Sequence, residues 1–145
     1  MTVTRKTRAA GTELSAEDYR NLAEFRFLLR RFLAFSEDAA RDAGLAPQQH
    51  QALLAIKGFD GDEAPTVGYL AERLSIRHHS AVGLVDRLVK AGFLKRHEGA
   101  ADKRRVTLTL SPRGETMLAK LSVAHRDELR HLTPSLKSLV AKLER

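Results

Sequence analysis

Leu70-Ala71-Glu72-Arg73-Leu74-Ser75-Ile76-Arg77-His78-His79-Ser80-Ala81-Val82-Gly83-Leu84-Val85-Asp86-Arg87-Leu88-Val89-Lys90-Ala91-Gly92 is the stretch whose periodicity fixes the architecture. Thr66 precedes it as a helix N-cap, and Val67, Leu70, Ala71 and Leu74 then recur at helical spacing, so a short helix is expected over 67–74. Ser75-Ile76 makes the turn, and a second helix is expected over 77–91, closed by Gly92. At about 100° per residue, Ala81, Leu84, Val85 and Leu88 of the second helix gather on one side. His79, Gly83, Asp86, Arg87 and Lys90 gather opposite, flanked by Ser80 and Val82. The apolar side must pack on the preceding helix, so the polar side faces out.

Downstream the period changes from 3.6 to 2. Phe93-Leu94-Lys95-Arg96-His97-Glu98 leads to a polar tip, 99–105, and Val106-Thr107-Leu108-Thr109-Leu110 returns as a half-buried strand. Two short helices followed by a basic-tipped hairpin is the winged helix-turn-helix order. Ser111-Pro112 caps another helix through about His131, and Thr133-Pro134 signals a last one carrying Leu136, Leu139, Val140 and Leu143.

Upstream, Gly58 to Pro65 is a loop by composition, and its acidic Asp60, Asp62 and Glu63 read as a solvated turn. Pro47 opens a helix to Lys57 with Leu53, Leu54 and Ile56 inward. Ser15 to Ala43 is one long helix whose apolar residues, Leu22, Phe25, Phe27, Leu28, Leu29, Phe32, Leu33 and Phe35, exceed what one small core uses. That surplus, with the stripe from Leu136 to Leu143, suits a partner helix. The fold class is therefore mainly α with a small β-wing: one domain, 1–145, with a winged lobe over 47–113 and helical dimerisation regions over 15–46 and 114–145.

Charge agrees with the pattern. The chain of 145 residues carries a net +7, and residues 66–114 alone hold ten Lys/Arg against four acids. Such a local excess is the footprint of a phosphate-binding surface. A helix fits the major groove of duplex DNA, where base edges are distinguishable, and its first turns penetrate deepest. Arg77, His78, His79, Ser80, Val82 and Gly83 are thus expected at or near the bases, and Arg87 and Lys90 at phosphates. Gly83 either lets the backbone approach the groove floor or packs tightly on another element. Lys103, Arg104 and Arg105 in the hairpin tip suit the narrow minor groove, where arginine is favoured. Asp102, two residues before Arg104, can pin its guanidinium.

Leu70 to Leu74, then Val85 to Arg96, then Asp102 to Gly114 resemble the MarR family of bacterial and archaeal regulators. The most specific piece is the D-x-R wing followed by an alternating strand and an S-x-x-G turn; the D-R-L-x-x-x-G stretch comes next. The resemblance implies a homodimer joined by its end helices, reading a pseudo-palindromic operator in double-stranded DNA, usually as a repressor. It implies Arg104 as the minor-groove arginine, with Asp102 orienting it. Val82 and Gly83 stand where many members carry larger polar residues, and His78-His79 precede the usual hydroxyl residue, here Ser80. Regulators of this kind often answer to small aromatic or phenolic effectors; Tyr19, Phe25, Phe32 and His50 are candidate contacts, with ordinary core packing as the competing reading.

Other classes find little footing. The chain has no cysteine, which excludes disulfides, thiolate chemistry and thiol-based sensing. Its six histidines are scattered, so no metal site or cofactor is expected. Phosphate loops, nucleophile elbows and metalloprotease motifs are missing, so no enzymatic activity is expected. No apolar run is long enough for a membrane span, and residues 1–11 read as a frayed basic tail rather than a secretory signal, which makes the cytoplasm the expected location. The competing function is a winged-helix adapter that binds protein rather than DNA; the arginine-bearing wing and the local basic excess weigh against it.

Overall fold

A computed structural model of the chain describes residues 13–99 and 105–145. The tail over 1–11 and the wing-tip residues Asp102, Lys103 and Arg104 lie outside the described residues. The elements run α1 (Ala16–Asp42), α2 (Pro47–Lys57), α3 (Val67–Leu74), α4 (His78–Lys90), β1 (Leu94–Glu98), β2 (Val106–Leu110) and α5 (Pro112–Leu143).

The first helix starts where a reciprocal cap forms. The Asp18 amide donates to Ser15 Oγ (3.1 Å), and the Ser15 amide donates to Asp18 Oδ2 (2.9 Å). It ends at Gly44, whose φ of 88° lets the Leu45 amide reach back to the Ala40 carbonyl (2.9 Å). In α2, His50, Ala52, Leu53 and Ile56 are buried. Leu54, expected inward, is instead 46% exposed. It lies about 100° round the helix from Leu53, off the stripe that Leu53 and Ile56 define.

Thr66 Oγ1 accepts the Tyr69 amide (3.1 Å) and so starts α3. The turn between α3 and α4 is made by Ser75 in the left-handed region (φ 54°), a conformation that costs a non-glycine residue about 1–2 kcal/mol. The hairpin pairs Leu94 with Leu110 through Glu98 with Val106, and closes with the Gly99 amide on the Arg105 carbonyl (2.8 Å). The far edge of β2 is covered: the Leu108 amide donates to the Pro65 carbonyl (2.8 Å).

One expectation at the C-terminal end is overturned. Thr133-Pro134 does not open a new helix; Pro134 lies inside α5, which runs unbroken to Leu143. Proline cannot donate to the carbonyl four residues back, and that residue, Arg130, is exposed, where water can serve instead. The Thr133 hydroxyl folds back onto the Leu129 carbonyl (2.8 Å) rather than capping a fresh start.

The chain forms two compact units. Among the described residues, one takes in 13–35 together with 126–145; the other lies within 36–125. The 36–125 unit has a continuous apolar core, with Leu53, Leu70, Leu84, Leu88 and Leu108 essentially inaccessible. The other unit buries Leu28, Leu132 and Leu139, with Phe32 and Leu136 packed beside them.

Candidate nucleic-acid interface

The helical wheel of α4 is realised in the fold. Ala81, Leu84, Val85 and Leu88 are buried, while Arg77, His78, His79, Ser80, Val82, Asp86, Arg87 and Lys90 are exposed. Val82 is 38% exposed on this polar side, so an apolar contact is offered there among the polar ones. A Cβ built on Gly83 would meet only Arg87 Nη1, at 3.6 Å. Among the described residues no other element crowds that glycine, which lies on the open side of α4.

Asp86 is an acid amid this basic face, and the fold neutralises it. Arg96, on β1, forms an ion pair with Asp86, tying helix to hairpin. Arg105, at the base of the wing tip, pairs with Glu63 of the loop before α3 (2.6 Å). Both of these side chains are exposed, so the pair contributes little to stability and orients more than it holds. Glu63, a solvated turn residue by its local sequence, has its partner 42 positions away, where no local signal connects them.

Between α4 and the hairpin runs an open groove of about 540 Å³. Val67, Val82, Val85 and Val106 give it apolar surface, and His78, Asp86, Arg96 and Arg105 supply its charged and polar groups. The structure therefore brings His78 and Val82 of the helix together with Arg105 of the hairpin.

The four aromatic or imidazole candidates for an effector are divided between the two units. Tyr19 and Phe25 are exposed on the α1 portion of the first unit, and Phe32 packs against its small core. A cleft of about 710 Å³ in that unit is lined by Glu17, Arg20, Asn21, Ser138 and Lys142 among others, and by none of the four. His50 belongs to the other unit and is a core residue, 1% exposed. Its ring lies 4.7 Å from that of His125, tilted by 50°, and among the described residues its Nδ1 meets no hydrogen-bond partner. His125 Nδ1 donates to the Leu121 carbonyl (2.7 Å), and its Nε2 shares a hydrogen bond with Ser36 Oγ (2.8 Å). Burial, and then the neighbouring His125, hold the His50 imidazole below its ordinary pKa of 6.5. Among the described residues no group of three or more histidines or carboxylates is placed to hold a metal ion, and no helix is long and apolar enough to cross a membrane.

Comparison with known proteins bears on this lobe directly. Residues 43–105 match the model of the MarR family. No curated protein sequence matches the chain. Among solved structures, a probable transcriptional regulator from Pseudomonas aeruginosa is 27% identical; the alignment covers 82% of this chain and 92% of that one, with a TM-score of 0.60. MepR of S. aureus, solved as a complex with DNA, is 15% identical over 91% of this chain and 96% of its own, with a TM-score of 0.67. BpsR of Bordetella bronchiseptica, whose DNA binding is regulated by 6-hydroxynicotinic acid, is 21% identical over 83% and 87%, with a TM-score of 0.60. The last two share the fold.

Proposed function

From a chain that carries the MarR-family winged helix-turn-helix, we propose a sequence-specific transcriptional regulator. It binds a pseudo-palindromic operator in double-stranded DNA as a homodimer, represses from it, and lets go on binding a small aromatic or phenolic effector. The observation that carries this reading is the outward face of α4: a row of exposed polar and basic side chains beside an uncrowded glycine, next to a basic hairpin. Arg77, His78, His79 and Ser80 meet base edges at the start of the helix, with Val82 and Gly83 against the groove floor. Arg87 and Lys90 meet phosphates. Lys103, Arg104 and Arg105 enter the adjoining minor groove, with Asp102 orienting Arg104. The trough between α4 and the hairpin gives the sugar-phosphate strand that separates the two grooves a place to run, past His78, Arg96 and Arg105.

Pairing of two chains is supported by the first unit. It leaves Leu22, Phe25, Phe27, Leu29 and Leu33 exposed on α1, and Leu129, Val140 and Leu143 exposed on α5. A single module buries only about 600–1,000 Å² of its own surface on DNA, and a dimer doubles that at fixed spacing. The effector class is supported by the ligand of BpsR; exposed Tyr19 and Phe25 are the side chains offered for it.

A salt titration of binding to duplex DNA tests the reading. Neutralising about 6–10 phosphates should cost roughly 10³–10⁵ in affinity between 50 and 200 mM salt. Binding that ignores salt, or is confined to a protein partner, would put the adapter in its place.

A further inference from the structure

Both DNA-reading elements of this lobe leave from one turn. α4 ends at Lys90, β1 begins at Leu94, and Ala91, Gly92 and Phe93 lie between them. The three successive carbonyls of that turn are all taken by residues at the start of α5. Arg113 Nη1 donates to the Ala91 carbonyl (2.6 Å), Ser111 Oγ to the Gly92 carbonyl (2.5 Å), and the Ser111 amide to the Phe93 carbonyl (3.0 Å). Gly114 is pressed so closely on Phe93 that a Cβ there would run into the Phe93 carbonyl.

Arg113 stands apart from its neighbours in this clamp. Ser111 and Gly114 are buried, whereas Arg113 is exposed, where a charged side chain is free to point into water. It does not. Its guanidinium sits 4.6 Å over the ring of buried Phe93, and its Nη1 and Cδ lie 3.5 and 3.9 Å from where a Cβ of Gly92 would be. Gly92 has a φ of 82°, so the turn needs glycine, and the arginine lies across the flat side that the missing Cβ leaves. A cation at this point also meets the negative end of the α4 dipole. With Nη1 bonded to the Ala91 carbonyl and the guanidinium face laid on Phe93, the side chain is held against the turn although it stays exposed.

We propose that Arg113 is a positioning residue for operator recognition, setting the departure of α4 and β1 through Ala91 and Phe93 without touching DNA itself. The proposal rests on the regulator reading above. Small displacements at the turn are carried along a rigid helix and a hairpin, so they cost base-edge contacts, which need close geometry, more than phosphate contacts, which tolerate drift.

The test uses the full-length protein, the duplex it selects from random oligonucleotides, and a scrambled duplex of equal length. Arg113→Ala should raise Kd for the selected duplex about five- to tenfold. It should change Kd for the scrambled duplex less than about twofold and leave the salt slope as it was. Arg113→Lys, which can still donate to the Ala91 carbonyl but stacks poorly on Phe93, should recover part of the loss. A salt slope lowered by about one would make Arg113 a phosphate contact and overturn the proposal. Equal losses on both duplexes, tracking a lowered melting temperature, would make it a merely structural residue. A wild type that selects a duplex, with Arg113→Ala its equal, overturns this role alone; a wild type that selects none overturns the regulator reading and this role with it.

Discussion

The two compact units use the same residue types to opposite ends. In the 36–125 unit most large apolar side chains pack on one another: Leu53, Leu70, Leu84, Leu88 and Leu108 are all sealed from solvent, and Leu54, Val82 and Val123 are the exceptions among the described residues. In the other unit the buried apolar side chains among the described residues are Leu28, Leu132 and Leu139, while Phe25, Phe27, Leu29 and Leu33 on α1 face solvent at 42–52% exposure. One unit has closed its core; the other presents an apolar face larger than the one it hides. Isolated exposed leucines are ordinary, but Leu22, Phe25, Leu29 and Leu33 share one side of α1 at helical spacing, with Phe27 turned away from it. The lesson is a division of labour. The 36–125 unit closes its core within itself, and the other unit leaves open the apolar surface that the proposed pairing of two copies would cover.

Substitutions can sharpen that contrast. The largest effect is expected in the closed core. Leu108→Ala removes a fully buried side chain between hairpin and helices and should cost about 2–5 kcal/mol in chemical denaturation. A cost near zero would mean the core is looser than its burial implies. Next comes Phe25→Glu on the open face. It should leave the circular dichroism of the helices in place but weaken self-association by about 2 kcal/mol per protomer, read by sedimentation. An unchanged dimer constant would move the interface elsewhere.

A third prediction concerns pH. The folded lobe holds His50 below 6.5, so the unfolded chain binds its proton first on acidification. The stability that His50 contributes is therefore intact above about pH 6.5 and is lost as pH falls below that value toward the depressed folded pKa. His50→Gln should flatten the acid limb of stability against pH relative to wild type; parallel curves would remove His50 as its cause. The smallest effect is expected at the turn between α3 and α4. Ser75→Gly relieves a left-handed serine and should raise stability by roughly 0.5–1 kcal/mol, with a loss of similar size contradicting the strain assignment.

How much of this was legible beforehand follows from the range of each interaction. The faces of α4 could be read because they depend on spacing within one helix, and Ala81, Leu84, Val85 and Leu88 keep that spacing without interruption. The caps at Ser15 and Thr66 were legible for the same reason. Thr133-Pro134 misled because its local signal is real but weaker than its surroundings: Leu132 and Leu139, buried on either side, hold the helix through the proline. Leu54 was misplaced because three apolar residues crowd into four positions, and only packing decides which one turns out.

What the sequence could not disclose is pairing across the chain. Asp86 with Arg96, Glu63 with Arg105, and His50 with His125 are joined by the fold, and each residue alone has an ordinary surface or core reading. The clamp on Ala91, Gly92 and Phe93 was half visible. The S-x-x-G pattern at Ser111–Gly114 announced a helix start, but not that its serine and arginine would hold the end of α4.

A regulator of the proposed kind needs α4 and the wing to read DNA in two symmetric copies. Selection of bound duplexes from a random pool, using the full-length protein, tests this most directly. Enrichment of an inverted repeat with half-sites about one helical turn apart, each lost when Arg77 and His79 are replaced together, is the predicted result. A pool that returns no shared sequence, or a single unrepeated site indifferent to those two residues, would contradict it.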